Sequence, residues 1–213
     1  MSSRTVMITG ANRGLGKCLI DAFAANGDVV ISHNGKADGD LKELKTIIAL
    51  GEIAKSRDVD ILINNAGIYT NRFLPDMNYE KFKEIIETNL LASIYLTKAI
   101  WPIFQAKKRG TVVFINSVAG KTGSPGESAY CASKFGLKGF ADSIQYDAIR
   151  ANVKVLSVYL GAMWTDMIKS RGGGPELYLD PKNVAQMIFD ACKQYPGAEQ
   201  TELVIDRISK KGR

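Results

Sequence analysis

Apolar residues in this 213-residue chain fall into two patterns. Short continuous runs, Val6–Thr9, Val29–Ile31, Asp60–Ile63, Thr111–Ile115 and Val153–Tyr159, predict strands. Each is too short for a helix, and Asp60–Ile63 and Thr111–Ile115 are expected to be strands buried on both faces. Between them the spacing turns helical. Leu15, Leu19, Ile20 and Phe23 follow the first run, and Phe82, Ile85, Ile86, Leu90, Ile94 and Leu96 recur within residues 78–105. A further helix is expected around Leu41–Ala54, another begins near Ser128–Ala129, and the tail from Leu203 supplies a last strand. Strands alternating with helices predict an α/β chain with a parallel sheet.

Composition narrows this picture without redirecting it. A chain 46% hydrophobic and 23% charged suits one globular domain over residues 1–213, with no internal repeat or low-complexity segment. No apolar run approaches the roughly 18 residues of a membrane span, and Met1–Thr5 leads straight into a strand, so no membrane partner is expected. Cys18, Cys131 and Cys192 are odd in number and widely spaced, which reads as free thiols in a reducing, cytoplasmic setting. With His33 the single histidine, a multi-His zinc site is excluded, and no metal is expected. His33 itself reads as a polar residue at a strand end. The formal charge of +6 invites a nucleic-acid reading. However, Lys107-Lys108-Arg109 is a helix–strand turn and Lys210-Lys211-Gly212-Arg213 a chain end, with no interleaved aromatics, so no nucleic-acid partner is expected.

Two stretches carry chemistry. Gly10-Ala11-Asn12-Arg13-Gly14-Leu15-Gly16 lies between the first strand and the first helix. Its glycines permit a tight turn and close backbone approach, and the helix N-terminus faces whatever anion sits there, so the context predicts a dinucleotide phosphate site. The second stretch is Ser117 to Lys134. Ser117 ends a buried strand, a Gly- and Pro-containing loop follows, and Tyr130 and Lys134 lie four residues apart on one helix face. A hydroxyl, a phenol and an ammonium thus meet at the carboxyl end of a strand, where open α/β sheets place ligands. Bringing a tyrosine pKa from about 10 to about 7 requires about 4 kcal/mol. An ammonium about 4 Å away at an effective dielectric of about 20 supplies roughly that, before desolvation. Lys134 is expected to lower the Tyr130 pKa, and Ser117 to donate to a developing alkoxide.

With both stretches in place, the chain resembles the short-chain dehydrogenase/reductase family. Thr9-Gly10-Ala11-Asn12-Arg13-Gly14-Leu15-Gly16 looks like its T-G-x-x-x-G-x-G element, and Asn64-Asn65-Ala66-Gly67 matches its N-N-A-G. Asn89 resembles its helix-borne catalytic Asn, while Ser117, Tyr130 and Lys134 match its serine and Y-x-x-x-K, all in the family's order. The resemblance implies a Rossmann-type doubly wound parallel sheet and an NAD(P)(H)-dependent carbonyl reductase or alcohol dehydrogenase. It assigns Asn89, Ser117, Tyr130 and Lys134 to catalysis, with Asn89 holding a water beside Lys134. For the cofactor it implies Gly10, Asn12, Arg13, Gly14, Leu15, Gly16, Asn34, Asp40, Asn65, Ala66, Gly67, Tyr130, Lys134, Met163 and Thr165. The competing reading is a dinucleotide-sensing or scaffold protein that keeps the fold without turnover. Intact Asn89, Ser117, Tyr130 and Lys134 argue against it. The extended epimerase/dehydratase relatives, which share Y-x-x-x-K, are longer and space their glycines differently.

Three departures from the family pattern shape the expectations. Only about ten residues, Ser32 to Asp40, stand where the family fits a helix and a strand. That helix is expected to be absent and the strand vestigial, and either Asp38 or Asp40 serves the adenine side. Leu160-Gly161 replaces the usual Pro-Gly, and the tail lacks the V-D-G-G ending often found in subunit contacts, so a homo-oligomer is left open. The segment Met167–Leu179 lies where a substrate lid belongs, with Met163, Trp164, Met167 and Tyr178 as candidate pocket lining for a small carbonyl or alcohol substrate. No acid stands at Asn34 to repel a 2′-phosphate, and Arg13 and Lys36 are nearby cations, so NADP(H) is preferred, with NAD(H) as the alternative.

Overall fold

The structure is a computed structural model and describes residues 3–166, 174–193 and 200–207. Six strands, β1 (Thr5–Thr9), β2 (Val29–His33), β3 (Ile61–Asn64), β4 (Gly110–Ser117), β5 (Val153–Leu160) and β6 (Glu202–Ile205), form one sheet. All neighbours pair in parallel, in the order β2-β1-β3-β4-β5-β6. The expected strands are present, most of them a residue or two longer than their apolar runs. The chain leaves β1 toward β2 and returns on the other side of β1 as β3. The sheet therefore reverses direction of growth between β1 and β3, which opens a crevice at their carboxyl ends.

Both faces of the sheet are covered, which is why its strands read as continuous apolar runs. On one face Ile8, Ile63, Val113 and Val158 pack with Leu19 and Phe23 of α1 (Gly14–Ala25) and with Val184 and Ile188 of α6 (Pro181–Ala191). The other face carries Met7, Leu62, Val112, Phe114 and Val155. These meet Leu50 of α2 (Leu44–Ser56), Ile100 and Phe104 of α4 (Ala92–Lys107), and Leu137 and Ala141 of α5 (Ser128–Ala151). Neighbouring strand residues thus divide between two cores, as the pleat requires.

The helix expected over residues 78–105 is α3 (Tyr79–Ile86) running on into α4, with one π-helical turn at Glu87–Leu91 between them. The shortened region is shorter still than the sequence suggests. After β2 comes only a 3₁₀ turn, Gly35–Asp38, and residues 34–43 contain no strand at all, so the vestigial strand is corrected to none. The reason is local: Asp38 accepts hydrogen bonds from the backbone N–H and side-chain amide of Asn34, at 2.7 and 3.0 Å, and folds the segment back on itself. His33, the last residue of β2, is buried, and its Nε2 lies 2.9 Å from the Gly39 carbonyl. A folded turn of this kind has no extended backbone to add to the sheet, and β2 becomes its edge.

Candidate functional site

The glycine turn and the N-N-A-G loop meet over the crevice between β1 and β3. Asn65 donates from Nδ2 to the Thr9 carbonyl at 2.8 Å and to the Gly10 carbonyl at 3.0 Å. The Thr9 hydroxyl in turn accepts from the backbone N–H of Asn65 and of Ala66, each at 3.1 Å. Two loops distant in sequence are thereby locked as one floor. Gly10 has φ +63°, and a Cβ there would sit 2.8 Å from Cα of Ala66. A Cβ on Gly16 would overlap the Gly10 carbonyl oxygen. These two positions require glycine, one for conformation and one for room.

α1 starts directly on this floor. Its N-cap, Arg13, makes no side-chain capping bond, so the N–H groups of the first turn carry their partial positive charge toward the crevice. Thr165 leans against Gly14, 3.3 Å from where a Cβ would be. An uncapped helix start over a glycine floor, with the Arg13 side chain exposed beside it, is the donor set a pyrophosphate needs, so the residues present fit a dinucleotide.

A single cleft of about 900 Å³ runs from this floor to the carboxyl end of β4. Gly10, Asn12, Arg13, Gly14, Leu15, Gly16, Asn34, Asp40, Asn65, Ala66, Gly67, Ser117, Tyr130, Lys134, Met163 and Thr165 all line it. Asn89 does not. Of the two candidate acids, Asp40 lines the cleft, whereas Asp38 is engaged by Asn34.

At the far end, Ser117 closes β4 and its hydroxyl donates to the Leu160 carbonyl at 3.3 Å while accepting from the Ala119 N–H at 3.1 Å. Lys134, only 5% exposed, donates from Nζ to the Ile115 carbonyl at 2.8 Å. Its Nζ lies 5.7 Å from the centroid of the Tyr130 ring. Burial pulls the Lys134 pKa down to about 8. The same burial pushes the Tyr130 phenol up to about 12, against the opposing hydrogen bond from Ser117, and the carboxylate of Glu127 adds to the rise. The expected lowering of Tyr130 by Lys134 is therefore corrected. In the protein by itself desolvation dominates, and the ammonium is turned to the β4 backbone.

Asn89 has its side chain engaged within the protein. It is fully buried in the π-helical turn, and its Nδ2 donates to the Ile68 carbonyl at 2.9 Å and to the Ser133 hydroxyl at 3.1 Å. Its Oδ1 accepts from the Ile68 N–H at 2.8 Å. Its amide hydrogens go one to the loop after β3 and one to α5, so the side chain ties the two together.

Trp164 and Tyr178 pack on each other, ring centroids 5.4 Å apart, and neither lines the cleft; Met163 does. Met167 and most of the expected lid lie outside the described residues. Sequence reading missed Tyr69, Glu127, Asp206 and Arg207, all of which line the cleft. The last two arrive because a Cβ at Gly161 would collide with the Asp206 side chain, so the glycine after β5 admits the segment after β6. No local pattern marks any of the four. Among the described residues no group of His, Cys, Asp and Glu forms a metal cluster, and no helix is long and apolar enough to cross a membrane.

Residues 38–174 match the family model of the short chain dehydrogenases. The chain is 32% identical over 186 residues to a 3-oxoacyl-[acyl-carrier-protein] reductase of Haemophilus influenzae, covering 78% of this chain and 77% of that protein. To the reductase of the same description from Escherichia coli it is 33% identical, covering 78% and 76%. Among solved structures, 4-hydroxyisoleucine dehydrogenase complexed with NADH superposes with a TM-score of 0.85 at 26% identity, covering 99% of this chain and 100% of that one.

Proposed function

We propose that this chain, which belongs to the short-chain dehydrogenase family, is an oxidoreductase that interconverts a carbonyl and an alcohol with NADP(H), Tyr130 giving or taking the proton. The observation that carries this reading is the single cleft in which the uncapped α1 start faces one end and Ser117, Tyr130 and Lys134 line the other. Gly10, Asn12, Arg13, Gly14, Leu15 and Gly16 would hold the pyrophosphate, Asn34 and Asp40 the adenosine, and Asn65, Ala66, Gly67, Lys134, Met163 and Thr165 the nicotinamide half. When bound, the dinucleotide supplies or accepts the hydride.

The chain's own residues handle the oxygen and its proton. The Ser117 hydroxyl rotates from the Leu160 carbonyl to donate to the substrate oxygen, and the Tyr130 hydroxyl delivers the proton in the reduction direction. A phenol that burial keeps protonated is ready to serve as an acid. Arg13 and Lys36, both exposed, and the missing acid at Asn34 support NADP(H), with NAD(H) the alternative. Free Cys18, Cys131 and Cys192 support a reducing, cytoplasmic compartment. Exposed Tyr95, Phe135, Tyr146 and Ile149 on α4 and α5 support a homo-oligomer.

The substrate class to test first is a 3-oxoacyl thioester, as named for the two reductases, with simple ketones and hydroxy amino acids beside it. Turnover of a 3-oxoacyl or ketone substrate with NADPH, or of a hydroxy amino acid with NADP⁺, lost at least tenfold in Tyr130→Phe while NADPH binding persists, is the expected result. Tight dinucleotide binding with no turnover on the whole panel would instead favour the sensor reading. A Phe variant keeping more than about a tenth of kcat would remove Tyr130 from its role.

A further inference from the structure

Beside the phenol stands a carboxylate that the reaction as described does not use. Glu127 is 7% exposed, lines the cleft, and directly precedes α5. Its Oε1 accepts from the Tyr69 hydroxyl at 2.8 Å. The Tyr69 ring meets the Tyr130 ring edge to face, centroids 5.2 Å apart with the planes at 80°. Asn71 donates from Nδ2 to the Pro125 carbonyl at 3.3 Å, and the Arg72 N–H to the Gly126 carbonyl at 2.7 Å. The loop after β3 and the loop before α5 are thus tied at three successive points. Asn89 fixes the first of these loops from behind through Ile68.

Burying a carboxylate is costly, and a neutral glutamine would accept from the Tyr69 hydroxyl equally well. Its charge therefore calls for a reason beyond the tie. We propose that Glu127 is a positioning residue for Tyr130, seating Tyr69 against the phenol ring and holding a negative charge beside it. This rests on the proton-transfer role proposed for Tyr130. The titratable groups that bear on that phenol are Glu127 just before α5, Cys131 and Lys134 from α5, and Tyr69 from the loop after β3. Of these, the charge of Glu127 acts against the tyrosinate, while the ammonium of Lys134 is spent on the Ile115 carbonyl. Burial raises the pKa of Glu127 itself, and its side-chain hydrogen bonds with Ser124 and Asn71 oppose that rise. The consequence is a site that keeps its proton until a substrate oxygen claims it.

The test is the pH profile of alcohol oxidation, which requires the deprotonated phenol, read with NADP⁺ and ethyl 3-hydroxybutyrate as the probe. Glu127→Gln keeps an acceptor for Tyr69 and deletes the charge. The rise of rate with pH is expected to move down by about half a pH unit or more, about threefold in rate on the rising limb, the size of a single partly screened charge. Glu127→Asp keeps the charge, and its limb should stay within about 0.2 of wild type. Tyr69→Phe keeps the ring and the charge, so its limb should also stay while kcat falls severalfold. Should the probe not turn over, the same displacement is read from tyrosinate absorbance near 295 nm, as the difference between each protein and its Tyr130→Phe counterpart. A Glu127→Gln limb that does not move, a Glu127→Asp limb that moves as far as that of Glu127→Gln, or Tyr69→Phe with wild-type kcat overturns the proposal. Turnover surviving in Tyr130→Phe marks failure of the proton-transfer role instead, so the two failures are told apart.

Discussion

Lys134 donates its ammonium hydrogen bond to the carbonyl of Ile115, on the strand beneath it, at 2.8 Å. A buried cation so held is maintained at the expense of stability, because burial has brought its pKa from 10.5 to about 8. Between those two values the unfolded chain binds more protons than the folded one, so folding grows more favourable as pH rises from about 8 to about 10.5. Below about 8 the penalty is felt in full, up to about 3 kcal/mol. Lys134→Met is expected to melt above wild type at pH 7 and to lose that advantage by pH 10, while its turnover collapses. Thermal melts across that range check the sign; an advantage that widens with pH would contradict it.

Gly16 faces the Gly10 carbonyl so closely that a methyl group has no room. Gly16→Ala must push the first turn of α1 off the glycine floor, at about 1–3 kcal/mol, and weaken dinucleotide binding at least tenfold. Gly27 has φ +83° but nothing within 4 Å of the place a Cβ would take, so it tests backbone strain without crowding, and Gly27→Ala should leave binding unchanged. Calorimetric titration with NADPH separates the two.

Thr9 is the hinge pin of the same floor, its hydroxyl accepting from two backbone N–H groups. Thr9→Val keeps the shape and leaves both partly buried donors without that acceptor, which costs about 1–3 kcal/mol. Equilibrium denaturation in urea should show it as a lower midpoint with an unchanged slope.

Cofactor choice is expected to depend on Arg13 and Asp38 in opposite senses. A charge-assisted bond to a 2′-phosphate is worth about 1.5–3 kcal/mol. Arg13→Ser should therefore lower the NADPH/NADH ratio of kcat/KM by about 10- to 100-fold. Asp38 places a carboxylate on the Asn34 amide, and Asp38→Asn removes a charge that repels the phosphate, so the ratio should rise. A wild type that favours NADH, or a serine variant with an unchanged ratio, would refute the preference.

By itself the sequence determined the strands, the helices and the two chemical stretches. Their signals are local: apolar runs buried on both faces for β3 and β4, helical spacing through Asn89, glycines where the backbone turns on itself, and four-residue spacing for Tyr130 and Lys134. It also showed that too few residues follow β2 for a helix and a strand. Only the tertiary structure decided what those residues do instead, because the fold of 34–40 hangs on the side chain of Asp38 reaching back to Asn34. It decided that Asn89 holds a loop, since the partner, Ile68, comes from another element. The Tyr130 pKa moves up because desolvation depends on everything packed around the ring, which no four-residue spacing records. Glu127, Tyr69 and Arg207 reach the cleft through contacts between loops far apart in the chain, and such contacts leave no periodicity behind.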